Sequence, residues 1–144
     1  MAVVYLDTSA LVKLCVHESG TPLAVALWEG ADVLATSAIA DTEIRSVIAT
    51  GERIGRIDAA PAQQALGRWE ELKDGIHYVT LSRQVRESAA ALVAKWPLRA
   101  ADATHLASAM LFKDAPNLLI AAWDRRLAAA ARGEGLTVLP PAVS

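Results

Sequence analysis

Two rhythms of apolar residues alternate along this chain. Ala2–Leu6 reads AVVYL, a continuous apolar run that fits a strand buried on both faces of a parallel sheet, and it ends at Asp7. Leu11, Leu14 and Cys15 then recur at helical spacing, with Thr8 or Ser9 as the cap and the Glu-Ser-Gly-Thr-Pro run at 18–22 as the stop. The pattern repeats: a short strand over 33–36, Ser37 as a cap, and a helix over 38–50 that ends at Gly51. Asp58 caps a helix to about Leu72, a strand follows over 76–81, and Ser82 caps a helix to about Lys95, which Trp96 and Pro97 break. A helix over 100–113, a strand over 118–122, a helix over 124–132 closed by Gly133 and Gly135, and a last strand over 136–139 complete the series.

Strands alternating with helices predict an α/β fold, a three-layer α/β/α domain around a central, mainly parallel sheet of four to five strands. No repeat, linker or low-complexity tract divides the chain, so a single domain spanning 1–144 is expected. With 53% hydrophobic and 21% charged residues it can bury a real core, which excludes a disordered chain. The net charge of −2 announces neither a nucleic-acid binder nor a membrane-surface protein. A lone cysteine cannot make an internal disulfide, and the first residues lack the basic segment and cleavage site of a secretory signal. A cytoplasmic, soluble protein with no membrane partner is the expectation.

In folds of this class ligands bind beyond the carboxyl ends of the strands, which draws attention to Asp7 and Asp124. Either one alone could simply cap a helix. At 100° per residue, however, Glu43 borders the buried face of its helix, about 80° from the centre, and Asp102 falls about 50° from the middle of its inward stripe. Both lie in the first halves of their helices, so all four acids can converge on one pocket. Two carboxylates about 4 Å apart repel by roughly 4 kcal/mol at an effective dielectric of 20, and something positive must compensate.

No lysine follows a strand end to do so; Lys13, Lys73, Lys95 and Lys113 all lie in or at the ends of helices. Oxygen-only donors on a partly open site point to Mg²⁺, with Mn²⁺ able to substitute. Assigning the four acids to metal leaves twelve acids against fourteen bases, a balance compatible with a polyanionic substrate. Arg125 and Arg126 occupy the first turn of a helix, where they oppose its dipole, Arg99 directly precedes another helix, and Lys13 follows Asp7 by about a turn and a half. A phosphate backbone crossing the pocket would explain these four cations, and a solvated charge face would explain them equally well. His105, three residues after Asp102, could join the site, but a lone helical histidine is more often structural and is set aside here. Asp41, on the other flank of Glu43's helix, reads as a solvated or capping acid, and Cys15 as core.

The segments VYLDTSALVKL around Asp7, TEIRSVI around Glu43, LRAADATHLASA around Asp102 and LIAAWDRRLAAAA around Asp124 resemble, in order and over nearly the whole chain, the four motifs of the PIN-domain ribonucleases, and among them most of all the VapC toxins. The resemblance implies a PIN-like α/β/α fold with Asp7, Glu43, Asp102 and Asp124 as catalytic metal ligands and Thr8 or Ser9 supporting the metal. It further implies an Mg²⁺-dependent endoribonuclease of a VapBC toxin–antitoxin pair, a homodimer, and a VapB-type antitoxin whose C-terminal segment blocks the cleft. One position departs from the pattern: Ala122 stands where many relatives carry Thr or Ser. A PIN scaffold that binds RNA or an antitoxin without cutting is the alternative. A phosphoacceptor domain would need paired acids near the first strand and a strand-end lysine. A haloacid-dehalogenase-type phosphatase would need a second Asp at position 9, which is Ser9.

Overall fold

A computed structural model describes residues 1–141. Five strands, β1 (Ala2–Leu6), β2 (Val33–Ser37), β3 (His77–Val79), β4 (Asn117–Ala121) and β5 (Val138–Leu139), form one sheet in the order β3-β2-β1-β4-β5. Every neighbouring pair is parallel, with Val4 opposite Leu34 on one side and Leu119 on the other. Among the described residues seven α-helices connect and cover it: α1 (Thr8–Cys15), α2 (Thr21–Gly30), α3 (Ala40–Arg53), α4 (Ala59–Leu72), α5 (Arg83–Lys95), α6 (Ala100–Met110) and α7 (Arg125–Gly133).

The apolar run of β1 is continuous because the strand is central and has a core on each face. Val3 and Tyr5 pack with α5, α6 and α7 through Val85, Leu106 and Leu127. Val4 and Leu6 point the other way and pack with α1, α3 and α4 through Leu11, Ile44 and Trp69. The layers are therefore helices, sheet, helices, as the alternation predicts. The chain leaves β1 toward β2 on one side and returns to β4 on the other, so the strand order reverses between β1 and β4 and opens a crevice beyond their carboxyl ends. The Asp7 N–H donates to the Ala121 carbonyl at 3.0 Å and ties the two ends together there. Among the described residues no helix is long and apolar enough to cross a membrane.

Several boundaries differ from expectation for local reasons. The run at 18–22 does not merely stop α1: Gly20, at φ 92°, turns the chain and α2 begins at Thr21, with Pro22 in the first turn, where its missing N–H costs nothing. The N-cap of α1 is Asp7 rather than Thr8 or Ser9, because both hydroxyls are drawn into side-chain contacts. Gly51 lies inside α3, which continues to Arg53, and the Ser37 hydroxyl accepts from the Ile39 N–H before the helix begins. The third strand shrinks to His77–Val79, and α6 ends at Met110 in a series of turns. Asp58 occupies the N-cap of α4 without a side-chain bond, whereas Ser82 accepts from the Val85 N–H as a working cap.

Candidate active site

The crevice beyond β1 and β4 is a cavity of about 490 Å³ whose walls include Asp7, Thr8, Ser9, Lys13, Glu43, Arg99, Asp102 and Asp124. Four stretches of sequence supply the acids. Asp7 directly follows β1, Glu43 lies in the first turn of α3, Asp102 in the first turn of α6, and Asp124 at the N-cap of α7. Asp7 and Asp102 are each 5% exposed, so both helical and strand-end acids face inward rather than into solvent.

Each acid has defined partners. Asp7 Oδ2 accepts from Ser9 Oγ at 2.8 Å, and that oxygen in turn accepts from the Trp123 N–H at 3.0 Å, linking the first acid to the loop before Asp124. Thr8 Oγ1 donates to Glu43 Oε1 at 2.7 Å. Asp124 Oδ1 accepts from the Leu127 N–H at 2.9 Å, so it caps α7 while its Oδ2 faces the cavity rim. Arg99 spans the remaining gap: its Nε donates to Asp102 Oδ2 at 3.0 Å and its Nη2 to Asp124 Oδ2 at 3.2 Å.

Behind the acids stands His105, a helical histidine whose position in the sequence does not by itself mark it as part of the site. His105 is 1% exposed; its Nε2 is 2.6 Å from Glu43 Oε1 and 3.1 Å from Thr8 Oγ1, and its Nδ1 is 2.8 Å from the Tyr5 hydroxyl. Asp7 Oδ1 is 3.6 Å from the same Nε2. Burial alone drives the imidazole toward its neutral form, but the Glu43 hydrogen bond and the charges of Asp7, Glu43 and Asp102 outweigh it and raise its pKa. Burial likewise pushes the Glu43 carboxyl up, yet the His105 bond and charge, Thr8 and Arg99 bring it below its ordinary value. For Asp7 burial wins: the His105 charge and the Ser9 hydroxyl offset only part of it, and the pKa rises. Burial, with Asp7 second, holds Tyr5 well above its usual range, so its hydroxyl stays protonated. The available signals for His105 were its i,i+3 spacing from Asp102 on an inward face and the inward register of Tyr5 two residues before Asp7.

The expected phosphate-binding cations are placed differently from one another. Lys13 pairs with Glu18 at 3.0 Å and lies 5.0 Å from the centroid of the Trp123 ring. Trp123 packs so closely there that a Cβ on Gly20 would fall 2.7 Å from its Nε1. Arg125 and Arg126 are exposed and line a shallow hollow of about 360 Å³ at the rim with Arg99 and Asp124. Asp41 is held by the Trp69 Nε1–H at 2.7 Å and Arg45 Nε at 3.0 Å, so it buttresses α3 against α4 instead of joining the cavity or standing free in solvent. Ala122 is 2% exposed and does not line the acidic cavity.

Hard carboxylate oxygens are the donors Mg²⁺ and Mn²⁺ take, and at Asp7 the Ser9 hydroxyl and the His105 imidazole 3.6 Å away offset only part of the cost of burying the charge. The donor set therefore fits such a cation chemically. As the side chains stand, no group of three or more His, Cys, Asp or Glu among the described residues is arranged to hold a metal. The hydrogen bonds explain this, since Glu43 is turned to His105 and Thr8 while Asp102 and Asp124 are joined to Arg99.

The family model described as PIN domain matches residues 4–133. Ribonuclease VapC45 and Ribonuclease VapC49, from two strains of Mycobacterium tuberculosis, are each 39% identical over 140 residues, covering 97% of this chain and 96% of theirs. A solved toxin-antitoxin complex from Klebsiella pneumoniae superimposes with a TM-score of 0.64 at 19% identity over 100% of both chains, a likeness of fold.

Proposed function

The chain belongs to the PIN-domain family, and from that premise we propose that it is a divalent-cation-dependent endoribonuclease acting as the toxin of a VapBC-type toxin–antitoxin pair. The observation that carries this reading is the convergence of Asp7, Glu43, Asp102 and Asp124, from four separate segments, on one cavity at the strand-order reversal. These four would hold Mg²⁺ or Mn²⁺. The chemistry such a cation would supply there is activation of a water for in-line attack on a phosphodiester and neutralisation of the leaving oxygen. Ser9 and Thr8 orient Asp7 and Glu43 through their hydroxyls, and His105 fixes Glu43 from behind. Arg99, Arg125 and Arg126 border the rim hollow, where they would meet the RNA backbone, and Lys13 lines the cavity itself.

A VapB-type antitoxin, a homodimer and a cytoplasmic setting complete the reading; the Klebsiella complex of toxin with antitoxin supports the first of these. The alternative reading, a PIN scaffold that binds RNA or an antitoxin without cutting, rests on Ala122, which lacks the hydroxyl many relatives carry there. The test is cleavage of structured RNA by purified protein. Cutting is expected with Mg²⁺ or Mn²⁺, none with EDTA, and none from folded Asp7→Asn or Asp102→Asn. Undiminished cutting in EDTA would refute the metal-dependent reading, and RNA binding without cutting in any cation would favour the scaffold.

A further inference from the structure

Arginine is a poor choice at the start of a helix, where its charge opposes the dipole, yet Arg99 is the N-cap of α6. The structure shows what holds it there. Its planar fork bridges two carboxylates 22 residues apart in sequence, Nε to Asp102 at 3.0 Å and Nη2 to Asp124 at 3.2 Å, using the Oδ2 atom of each. These are two of the four acids proposed to hold the cation, and both reach the same guanidinium. The side chain itself is 68% exposed, so the bridge is screened by solvent and only weakly held, and the stem has room to move. On its outer side lies the hollow shared with Arg125 and Arg126.

We propose that Arg99 is a displaceable counter-ion, which neutralises Asp102 and Asp124 until a divalent cation takes those carboxylates and is thereby released to bind a phosphate of the RNA. This rests on the reading that the four acids hold a divalent cation, and adds an order to the assembly of the site. Arg99 competes with the metal for the same oxygens, and metal loading completes the cationic rim with Arg125 and Arg126. Metal binding and RNA binding are then coupled through one side chain, and the coupling must be reciprocal.

Two measurements on the full chain test it. The first is calorimetric titration with Mn²⁺ of wild type, Arg99→Ala and Arg99→Lys, with thermal melts to show that all are folded. Removing the competitor should tighten Mn²⁺ binding by roughly three- to tenfold in Arg99→Ala, with Arg99→Lys between, since lysine keeps the charge but cannot fork across two carboxylates. Equal affinities in all three proteins would overturn the proposal while leaving the metal site intact. Absence of Mn²⁺ binding in every variant would overturn the metal site as well. The second is anisotropy of a fluorescent single-stranded oligoribonucleotide, in EDTA and in Ca²⁺, which takes the same oxygen donors. Arg99→Ala should weaken binding by roughly three- to tenfold in Ca²⁺ and by less than about twofold in EDTA. The same loss in both conditions, or no loss in either, would show that the guanidinium is not released by metal.

Discussion

Replacing His105 with alanine removes the one side chain that joins Glu43, Thr8 and Tyr5 inside the protein. The Glu43 bond is charge-assisted at 2.6 Å, and such bonds contribute about 1.5–3 kcal/mol. The Tyr5 hydroxyl, in a fully buried residue, loses its 2.8 Å partner at a cost of about 1–2 kcal/mol. The imidazole also leaves a void beside the Tyr5 ring, which it meets edge-on at 5.9 Å between centroids, and this adds to the loss. These contributions share atoms and do not simply add, so a destabilisation of roughly 3–5 kcal/mol is expected, a large part of the ~5–15 kcal/mol that a domain has. For a chain of this length that is a fall in Tm of roughly 10–15 °C. Glutamine at 105 can still present an N–H to Glu43 and should recover about half of the loss. Thermal and urea unfolding measure both, and Mn²⁺ titration of the folded fraction reports whether Glu43 has lost its orientation. If alanine costs less than about 1 kcal/mol and metal affinity is unchanged, His105 neither secures the core nor positions Glu43.

The same pair sets a pH optimum for stability. Glu43 has a lowered pKa, so its contribution is present above its ordinary value of 4.5 and is lost as pH falls through the folded value; His105 has a raised pKa, so its contribution is full below 6.5 and is lost as pH rises through the folded value. Urea midpoints should therefore peak between about pH 4.5 and 6.5, and His105→Gln should flatten the alkaline side; an unchanged slope there would exclude the charged imidazole. Gly133→Ala would bring a Cβ within 2.5 Å of Trp96 Cζ2 and closer still to Cη2, in a ring packed on the core. Overpacking should outweigh the ~1 kcal/mol gain in helix propensity and leave a net loss of about 1–3 kcal/mol by urea unfolding, against a gain if the ring can swing away. Asp41→Ala leaves the fully buried Trp69 indole N–H without its 2.7 Å acceptor and should cost about 1–3 kcal/mol, whereas Asp41→Asn keeps an acceptor and should cost under about 1 kcal/mol; equal losses would place the effect on charge instead.

The layered fold was legible because hydrophobic period is a local property. Val3 to Leu6 had to be covered on both faces, and the strand–helix alternation left a parallel sheet as the arrangement that does so. The inward tilt of Asp102 and the border position of Glu43 followed from the same arithmetic, and capping by Ser82 followed from its residue type and its place just before a helical run. α2 was hidden because Gly20 and Pro22 are punctuation in the sequence, and only the left-handed φ of one and the first-turn position of the other show that they start a helix.

What the chain determined alone was which groups are acidic, basic or apolar and roughly which face of each element they occupy. Which groups meet was decided by tertiary structure, because the strand order brings residues about a hundred positions apart within a few ångströms. Tyr5 and Thr8 reach His105 only when β1, α1 and α6 assemble around the sheet. That Arg99, expected from its position to meet phosphate, also bridges two carboxylates was decided by packing, since α6 and α7 deliver Asp102 and Asp124 together to one guanidinium. Periodicity specifies direction around a single element; distance between elements is a property of the packed whole.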